Sequence, residues 1–165
     1  MIEKNLRKSF IINLLIVFFI FLLDRISKIY VINLDKKFLG SDIFSSKFLN
    51  ISLIWNEGIA FGLFSFDEKN LYNILSIIIF LVILIILFWI IKSKGFKKYL
   101  LIIIFSGALG NFYDRMVYGG VPDFIDFHVG NFHWFIFNVS DIFITLGVIG
   151  MIFLEFTDKN INNVK

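Results

Sequence analysis

The sequence contains no cysteine and a single proline, and charged residues make up only 18% of its 165 residues. Without cysteine, the chain can form no disulfide, no thiolate nucleophile and no cysteine-ligated metal site. Soluble domains usually have about a quarter of their residues charged, so this chain has too little polar surface to cover a water-soluble core. The composition excludes a disordered chain and a disulfide-stabilised secreted domain.

Apolar residues are abundant instead, at 58% of the chain with 23 Phe and a mean hydropathy of +0.85. A helix needs about 20 mostly apolar residues to cross a bilayer. One uncharged stretch meets this length, and three others are interrupted by few charges, near one end. We therefore predict one membrane domain, residues 1–165, with spans at about 9–31, 71–91, 99–117 and 136–156.

The first predicted span follows Lys4, Arg7 and Lys8, a pattern that also opens a cleaved signal peptide. The apolar run is long for such a peptide, and no small-x-small cleavage site follows it. Asp24 and Arg25 stand where that site would lie. We predict a retained helix.

Lysine and arginine concentrate in the N-terminal segment, in the loop 92–98 and in the C-terminal tail. With four spans these segments lie on one side of the membrane, and short basic loops stay in the cytoplasm. We therefore expect both termini to be cytoplasmic, with the loops at about 32–70 and 118–135 outside.

The outer loops contain strand signals. Gly130-Asn131 separates two aromatic and β-branched stretches, as in a two-residue hairpin, and residues 48–55 resemble another strand. We predict a small extracytoplasmic antiparallel sheet with Trp55 and Trp134 at headgroup level, and a short surface helix at 59–71. The predicted fold is an all-α integral membrane protein with four transmembrane helices, this sheet and this surface helix.

Polar residues inside the spans gather toward the outer leaflet. If the spans run as predicted, seven such residues lie at one level: Asp24, Lys28, Asn111, Asp114, Arg115, Asn138 and Asp141. A charge facing lipid is costly, so these side chains must face one another or water. The cluster is either a functional site or an ion-pair network that joins the helices. Asp141 fits the second reading less well, since it has no adjacent cation.

The sequence lacks the motifs of several common kinds of active or binding site. The sequence has no G-x-S-x-G elbow and no H-E-x-x-H motif. His128 and His133 lie five apart across the predicted turn, and we interpret them as interfacial polar residues, so no metal site is predicted. Phosphate cradles are absent, and the basic residues form no stripe for nucleic acid.

Five aspartates fall near the outer end of the bundle: Asp24, Asp114, Asp123, Asp126 and Asp141. Two close carboxyls in a low-dielectric site share one proton. The charged one can take a proton from water while the neutral one donates to a carbonyl oxygen, which hydrolyses an amide. The residues alone do not indicate which two aspartates pair.

Two other functions compete with hydrolysis. Intramembrane aspartates also mark ion paths, although a path needs polar residues through the full thickness and spans two and four have apolar inner halves. The other alternative is a non-catalytic anchor protein in which the charges only join helices.

Five segments occur in order along these elements. They are Asp24-Arg25-Ile26-Ser27-Lys28, Asn56-Glu57-Gly58-Ile59-Ala60-Phe61-Gly62, Gly107-Ala108-Leu109-Gly110-Asn111-Phe112-Tyr113-Asp114-Arg115, Val121-Pro122-Asp123-Phe124-Ile125-Asp126-Phe127 and Phe137-Asn138-Val139-Ser140-Asp141. Each is short, but the ordered set resembles the lipoprotein signal peptidase family (signal peptidase II) of bacterial membrane aspartic peptidases. The resemblance covers nearly the whole chain.

The resemblance implies roles for individual residues. It places the catalytic pair on Asp123 and Asp141, with no metal and no cofactor. The implied substrate-site residues are Asn56, Asn111, Arg115 and Asn138. The implied supporting residues are Asp24, Lys28, Gly107 and Asp114.

The resemblance also implies the activity, which is cleavage of a prolipoprotein just before its diacylglyceryl-modified cysteine. We expect a monomer in the lipid of the bacterial cytoplasmic (inner) membrane, with its site toward the outer leaflet and no nucleic-acid partner. Two residues depart from the family pattern. Pro122 restricts the backbone beside Asp123, and Glu57 adds a carboxylate beside Asn56.

Overall fold

The structure, a computed structural model, describes residues 2–58 and 68–163. It contains four helices, α1 (Ile2–Phe38), α2 (Glu68–Lys92), α3 (Gly95–Tyr118) and α4 (Val139–Asn163). Each has a stretch that is long and apolar enough to cross a membrane, with mean hydropathies from 1.3 to 3.5. The four predicted transmembrane helices are confirmed.

The outer surfaces of the helices are apolar. Large side chains such as Phe18, Ile85 and Ile149 are more than half exposed, at 61%, 56% and 58%. Exposed apolar area of this extent is stable only in hydrocarbon. The protein is an integral membrane protein, in agreement with the composition.

The last helix begins at Val139 rather than at 136, so that boundary of the sequence prediction was wrong. Phe137 is bridged to the sheet instead, since its carbonyl accepts the N–H of Ile125 at 2.8 Å and its N–H donates to the Ile125 carbonyl at 3.0 Å. Asp141 consequently lies in the first turn of α4.

A four-stranded antiparallel sheet lies at one end of the bundle, in the order β1 (Phe44–Ser45), β2 (Leu49–Asn56), β3 (Val121–Val129) and β4 (Phe132–His133). The predicted strand and hairpin are both confirmed. Gly130 has φ 59° at the first turn position, where a type II′ turn needs glycine. The predicted surface helix falls mostly on residues 59–67, outside the described residues, and residues 68–71 already belong to α2.

Glycines allow α3 and α4 to approach closely. A Cβ on Gly107 would lie 2.5 Å from the Ser140 backbone oxygen, and one on Gly150 would lie 2.6 Å from Leu100 Cδ2. Small residues at such contacts are how membrane helices gain packing and backbone proximity. The approach brings the N-terminal end of α4 against the polar half of α3. An apolar cluster around Ile90, Leu101 and Ile102 fills the other end.

Candidate active site

A buried ion-pair network joins α1 to α3. Arg25 bonds Asp114 and also contacts Asp24 at 2.6 Å, while Lys28 Nζ lies 2.7 Å from Asp114 and 2.9 Å from Asp24. All four residues are at most 9% exposed. Two carboxylates and two cations neutralise one another, which removes the cost of burying any one charge alone. This arrangement matches the helix-joining reading of these residues.

The same network reaches the N-terminus of α4. Helix N-termini leave backbone N–H groups without intrahelical acceptors. Asp24 Oδ1 accepts the N–H of Ser140 at 3.0 Å, and Asn138 Oδ1 accepts the N–H of Asp141 at 3.2 Å. Asn138 is therefore the N-cap, and the carboxylate of α1 compensates the partial positive charge of the helix end.

Asp141 in turn accepts a hydrogen bond from the residue that caps the helix. Its Oδ2 accepts the N–H of Asn138 at 3.1 Å, so the two residues form a reciprocal capping box. Its other oxygen accepts Nδ2 of Asn111, on α3, at 2.7 Å. Helix-end chemistry thus holds the Asp141 carboxyl in one orientation.

Asp123 lies on β3 and is 4% exposed. Its Oδ1 accepts Nδ2 of Asn138 at 2.6 Å and its Oδ2 accepts Nδ2 of Asn56 at 2.9 Å. Asn56 reaches it from β2 because Ile54 pairs with Asp123 and Asn56 pairs with Val121, which makes Asn56 and Asp123 diagonal neighbours. Asn138 bonds both Asp123 and Asp141 and brings together carboxyls from a strand and a helix.

Three asparagines share one arrangement, in which the amide oxygen is occupied and the NH₂ group points at a carboxyl. Lys28, which can only donate, bonds Asn111 Oδ1 at 2.9 Å. Gly58 N–H donates to Asn56 Oδ1 at 2.8 Å, and a backbone N–H of α4 occupies Asn138 Oδ1. Each amide therefore presents its NH₂ group to Asp123 or Asp141.

Burial raises the pKa of Asp123 above its ordinary value, and the negative charge of Asp141 adds to that increase. The amide donors of Asn138 and Asn56 act in the opposite direction, since they stabilise the charged form. The net effect favours retention of a proton at the two-carboxyl site.

Two grooves open beside the carboxyls. Asp123 lines the more polar of the two, called the polar groove, in which Asn56, Glu57 and Arg115 lie beside apolar side chains such as Trp55 and Leu75. Asp141 lines a nearly apolar groove whose walls are Trp134, Phe135, Phe137, Ile142, Thr145 and Leu146. The site therefore offers a polar surface on one side and an apolar surface on the other.

Arg115 belongs to the polar groove rather than to the carboxyl hydrogen bonds. Its Nη1 donates to the Asn111 carbonyl at 3.4 Å. Tyr72 of α2, which sequence reasoning did not single out, donates its hydroxyl to the Arg115 carbonyl at 2.6 Å. No motif marks Tyr72, and only the packing of α2 against α3 indicates this contact.

Asp126 lies apart from the pair. It is three residues beyond Asp123 on β3, so the alternation of a strand places the two on opposite faces. Pro122 does not displace Asp123. It is fully buried opposite Trp55. At this point β3 pairs with β2 and with no second strand among the described residues, and a strand edge tolerates the missing N–H.

Comparisons of the sequence agree on one family. Residues 16–157 match the signal peptidase (SPase) II family. A lipoprotein signal peptidase of Pelagibacter ubique (strain HTCC1062) is 48% identical over 157 residues, which cover 94% of this chain and 95% of the relative. One of Anaplasma phagocytophilum (strain HZ) is 39% identical over 158 residues, covering 94% and 97%.

Solved structures of similar fold are described as bacterial membrane enzymes. One superposes with a TM-score of 0.72 at 33% identity and covers 88% of this chain and 93% of the other. A second has a TM-score of 0.68 at 31% identity and covers 89% and 88%. The likeness thus extends from the sequence to the arrangement of helices and sheet.

Proposed function

The chain belongs to the signal peptidase (SPase) II family, and from this premise we propose that Asp123 and Asp141 are its catalytic pair. The protein is an aspartic-type membrane peptidase that removes signal peptides from prolipoproteins. The observation that supports the pair is the position of Asn138, which is bonded to both carboxyls. Its side-chain NH₂ group donates to the strand carboxyl and its backbone N–H donates to the helix carboxyl.

The reaction uses one proton held between the two carboxyls. The ionised carboxylate removes a proton from a water, and the water oxygen attacks the scissile carbonyl carbon. The neutral carboxyl donates its proton to the carbonyl oxygen, which gives a gem-diol. The carbon–nitrogen bond then breaks as the carboxyl that took the water proton donates it to the leaving nitrogen. The other carboxyl takes a proton back from a diol hydroxyl, so the pair again holds one proton.

The asparagines keep the pair ready for this cycle. Their NH₂ groups hold both carboxyls in place, so little reorganisation is needed when charge moves between them. Arg115 and Asn56 are placed in the polar groove to bind substrate carbonyls or a lipid headgroup. The apolar groove beside Asp141 accepts hydrocarbon from the signal peptide or its lipid.

The substrate is a prolipoprotein whose cysteine carries diacylglycerol, cleaved just before that residue. The chain acts as a monomer and a single domain, residues 1–165, in the lipid of the cytoplasmic membrane. Both termini are cytoplasmic and the site faces the outer leaflet, as supported by the lysines of the loop 92–98 and of the N-terminal segment.

The test is cleavage of a diacylglyceryl-modified precursor by purified protein and by Asp123→Asn and Asp141→Asn. Asparagine keeps the side-chain size but cannot exchange the proton, and general acid–base chemistry is worth about 10²–10⁴-fold. We expect each variant to lose at least about 100-fold. Asp42→Asn, at an exposed position outside the site, is the matched control and should cleave normally. Full turnover by either site variant contradicts the proposal.

A further inference from the structure

The β3–β4 hairpin brings together three side chains that the cleavage mechanism does not use. Asp126 and His128 lie two apart on β3 and so share a face. His133 pairs directly with His128 across the turn. One ligand atom from each of Asp126, His128 and His133 lies within 4.8 Å of the others.

Hydrogen bonding within the hairpin leaves part of this cluster without partners. Asp126 is 5% exposed, and its Oδ2 bonds His133 Nδ1 at 2.8 Å. Asp126 Oδ1 and His128 Nδ1 are both buried and have no hydrogen-bond partner among the described residues. A buried polar atom without a partner is unfavourable, and these two have lone pairs suited to a cation.

The donor set selects the class of ion. Two imidazoles with one carboxylate are the protein ligands of open zinc sites, whereas Ca²⁺ and Mg²⁺ prefer oxygen ligands alone. We propose that Asp126, His128 and His133 form a three-ligand site for a divalent transition-metal ion, with Zn²⁺ as the best match. This assignment revises the sequence-based interpretation of both histidines as merely interfacial polar residues.

The hairpin can close on such an ion with small movements. Zinc–nitrogen and zinc–oxygen bonds are about 2.0–2.2 Å long. Three atoms bound to one ion must therefore lie nearer to one another than the 4.8 Å within which these ligand atoms lie. The His133 side chain is 50% exposed and sits on a strand of two residues, so its ring can turn toward an ion when the bond from Nδ1 to Asp126 is exchanged for a metal bond. The two imidazole rings are already stacked, with centroids 4.9 Å apart.

The site is separate from the carboxyl pair. Its ligands occupy the face of β3 opposite Asp123, whose oxygens are bonded to Asn56 and Asn138. A bound ion therefore fastens β4 to β3 and takes no part in the cleavage step.

The test is titration of tag-free, chelator-treated full-length protein with Co²⁺, whose visible absorption intensifies in a four- or five-coordinate nitrogen and oxygen site. We expect one equivalent to bind and Zn²⁺ to displace it. His128→Ala, His133→Ala and Asp126→Asn should each weaken binding at least about ten-fold, as even loss of an outer-shell partner does. Asp42→Asn is the matched control. The chain has no other histidine, so background binding is small.

A second measurement needs no variant. Zn²⁺ should protect both histidines of the wild-type protein from diethylpyrocarbonate, as measured by mass spectrometry of the hairpin peptide. Unchanged modification with saturating Zn²⁺, the absence of a Co²⁺ spectrum at millimolar metal, or wild-type binding by the variants would each overturn the proposal.

Discussion

At the scale of single residues, Asn138 has two separable roles. Its side-chain oxygen caps α4, and its NH₂ group donates a hydrogen bond to Asp123. Asn138→Ala removes both. A hydrogen bond to a charged group is worth about 1.5–3 kcal/mol, so we expect kcat/KM to fall about 10- to 100-fold. Loss of the cap should also cost about 1 kcal/mol of stability. Precursor cleavage and thermal unfolding in detergent measure the two effects.

Asn138→Ser separates these two roles. Serine caps helices as well as asparagine does, but it has no NH₂ group to donate a hydrogen bond to Asp123. It should unfold like the wild-type protein and cleave as poorly as Asn138→Ala. Normal cleavage by the serine variant would show that the amide donor is dispensable.

Lys28 is a second residue with a predictable effect. Lys28→Met leaves Asp24 and Asp114 with Arg25 as their remaining partner in the network, and breaking a buried pair typically costs about 3–5 kcal/mol. We expect a clearly lower unfolding temperature. Lys36→Met, at an exposed position near the end of α1, should unfold like the wild-type protein. Equal stability of the two variants would mean that the network is not stabilising.

The raised pKa of Asp123 predicts the form of the pH profile. The pair needs one proton, so cleavage should decline as pH rises through the upper pKa of the pair and the second carboxyl ionises. It should also decline at acid pH, when both carboxyls are protonated. Because burial raises the pKa of Asp123, the alkaline limb should lie above the range of an exposed aspartate. A profile of kcat/KM that is flat from acid to alkaline pH would argue against a shared proton.

At the scale of elements, the contact between α3 and α4 places Asp141. Gly107→Ala puts a carbon 2.5 Å from the Ser140 carbonyl, so the helices must separate, and overpacking of this kind costs about 1–3 kcal/mol. We expect lower stability and weaker cleavage together. Val117→Ile adds one carbon to an exposed position of the same helix and should leave both unchanged. A wild-type result for Gly107→Ala would mean that the helices tolerate a wider spacing.

The sheet is the element that places the other carboxyl. The pairing of β2 with β3 sets Asn56 diagonal to Asp123, and the bridge from Ile125 to Phe137 fixes where the chain enters α4. Short strands were visible in the sequence from turn and aromatic signals. β1, with two residues, was not, because a strand that short has no periodicity to detect.

At the scale of the whole molecule, orientation in the membrane can be tested directly because the chain has no cysteine of its own. Ser46→Cys, in the segment between β1 and β2, should react with an impermeant maleimide in intact cells lacking an outer-membrane barrier. Ser93→Cys, between α2 and α3, should react only after permeabilisation. The reverse labelling pattern would place the carboxyl pair on the cytoplasmic side.

Much of this protein follows from its sequence. The four spans are predictable because uninterrupted apolar length is a local property, read directly from composition. The sequence also predicts that the charges gather at one end of the bundle. The position of each charged residue within its span, together with the alternating direction of successive spans, places them at the same level. The start of α4 was misplaced because Ile136 and Phe137 are as apolar as helix residues, and only the backbone bonds between Phe137 and Ile125 show that Phe137 is bridged to the sheet.

The sequence by itself determined the number of membrane spans and the residue types available for chemistry, since both depend on local composition and order. Tertiary structure decided which carboxyls meet. Asp114 and Asp141 are both intramembrane aspartates, yet Asp114 is bound by Arg25 and Lys28, whereas the Asp141 and Asp123 carboxyls accept hydrogen bonds from neutral amide donors. That difference arises from helix and strand packing between residues up to 89 positions apart in the sequence, so no local pattern contains it.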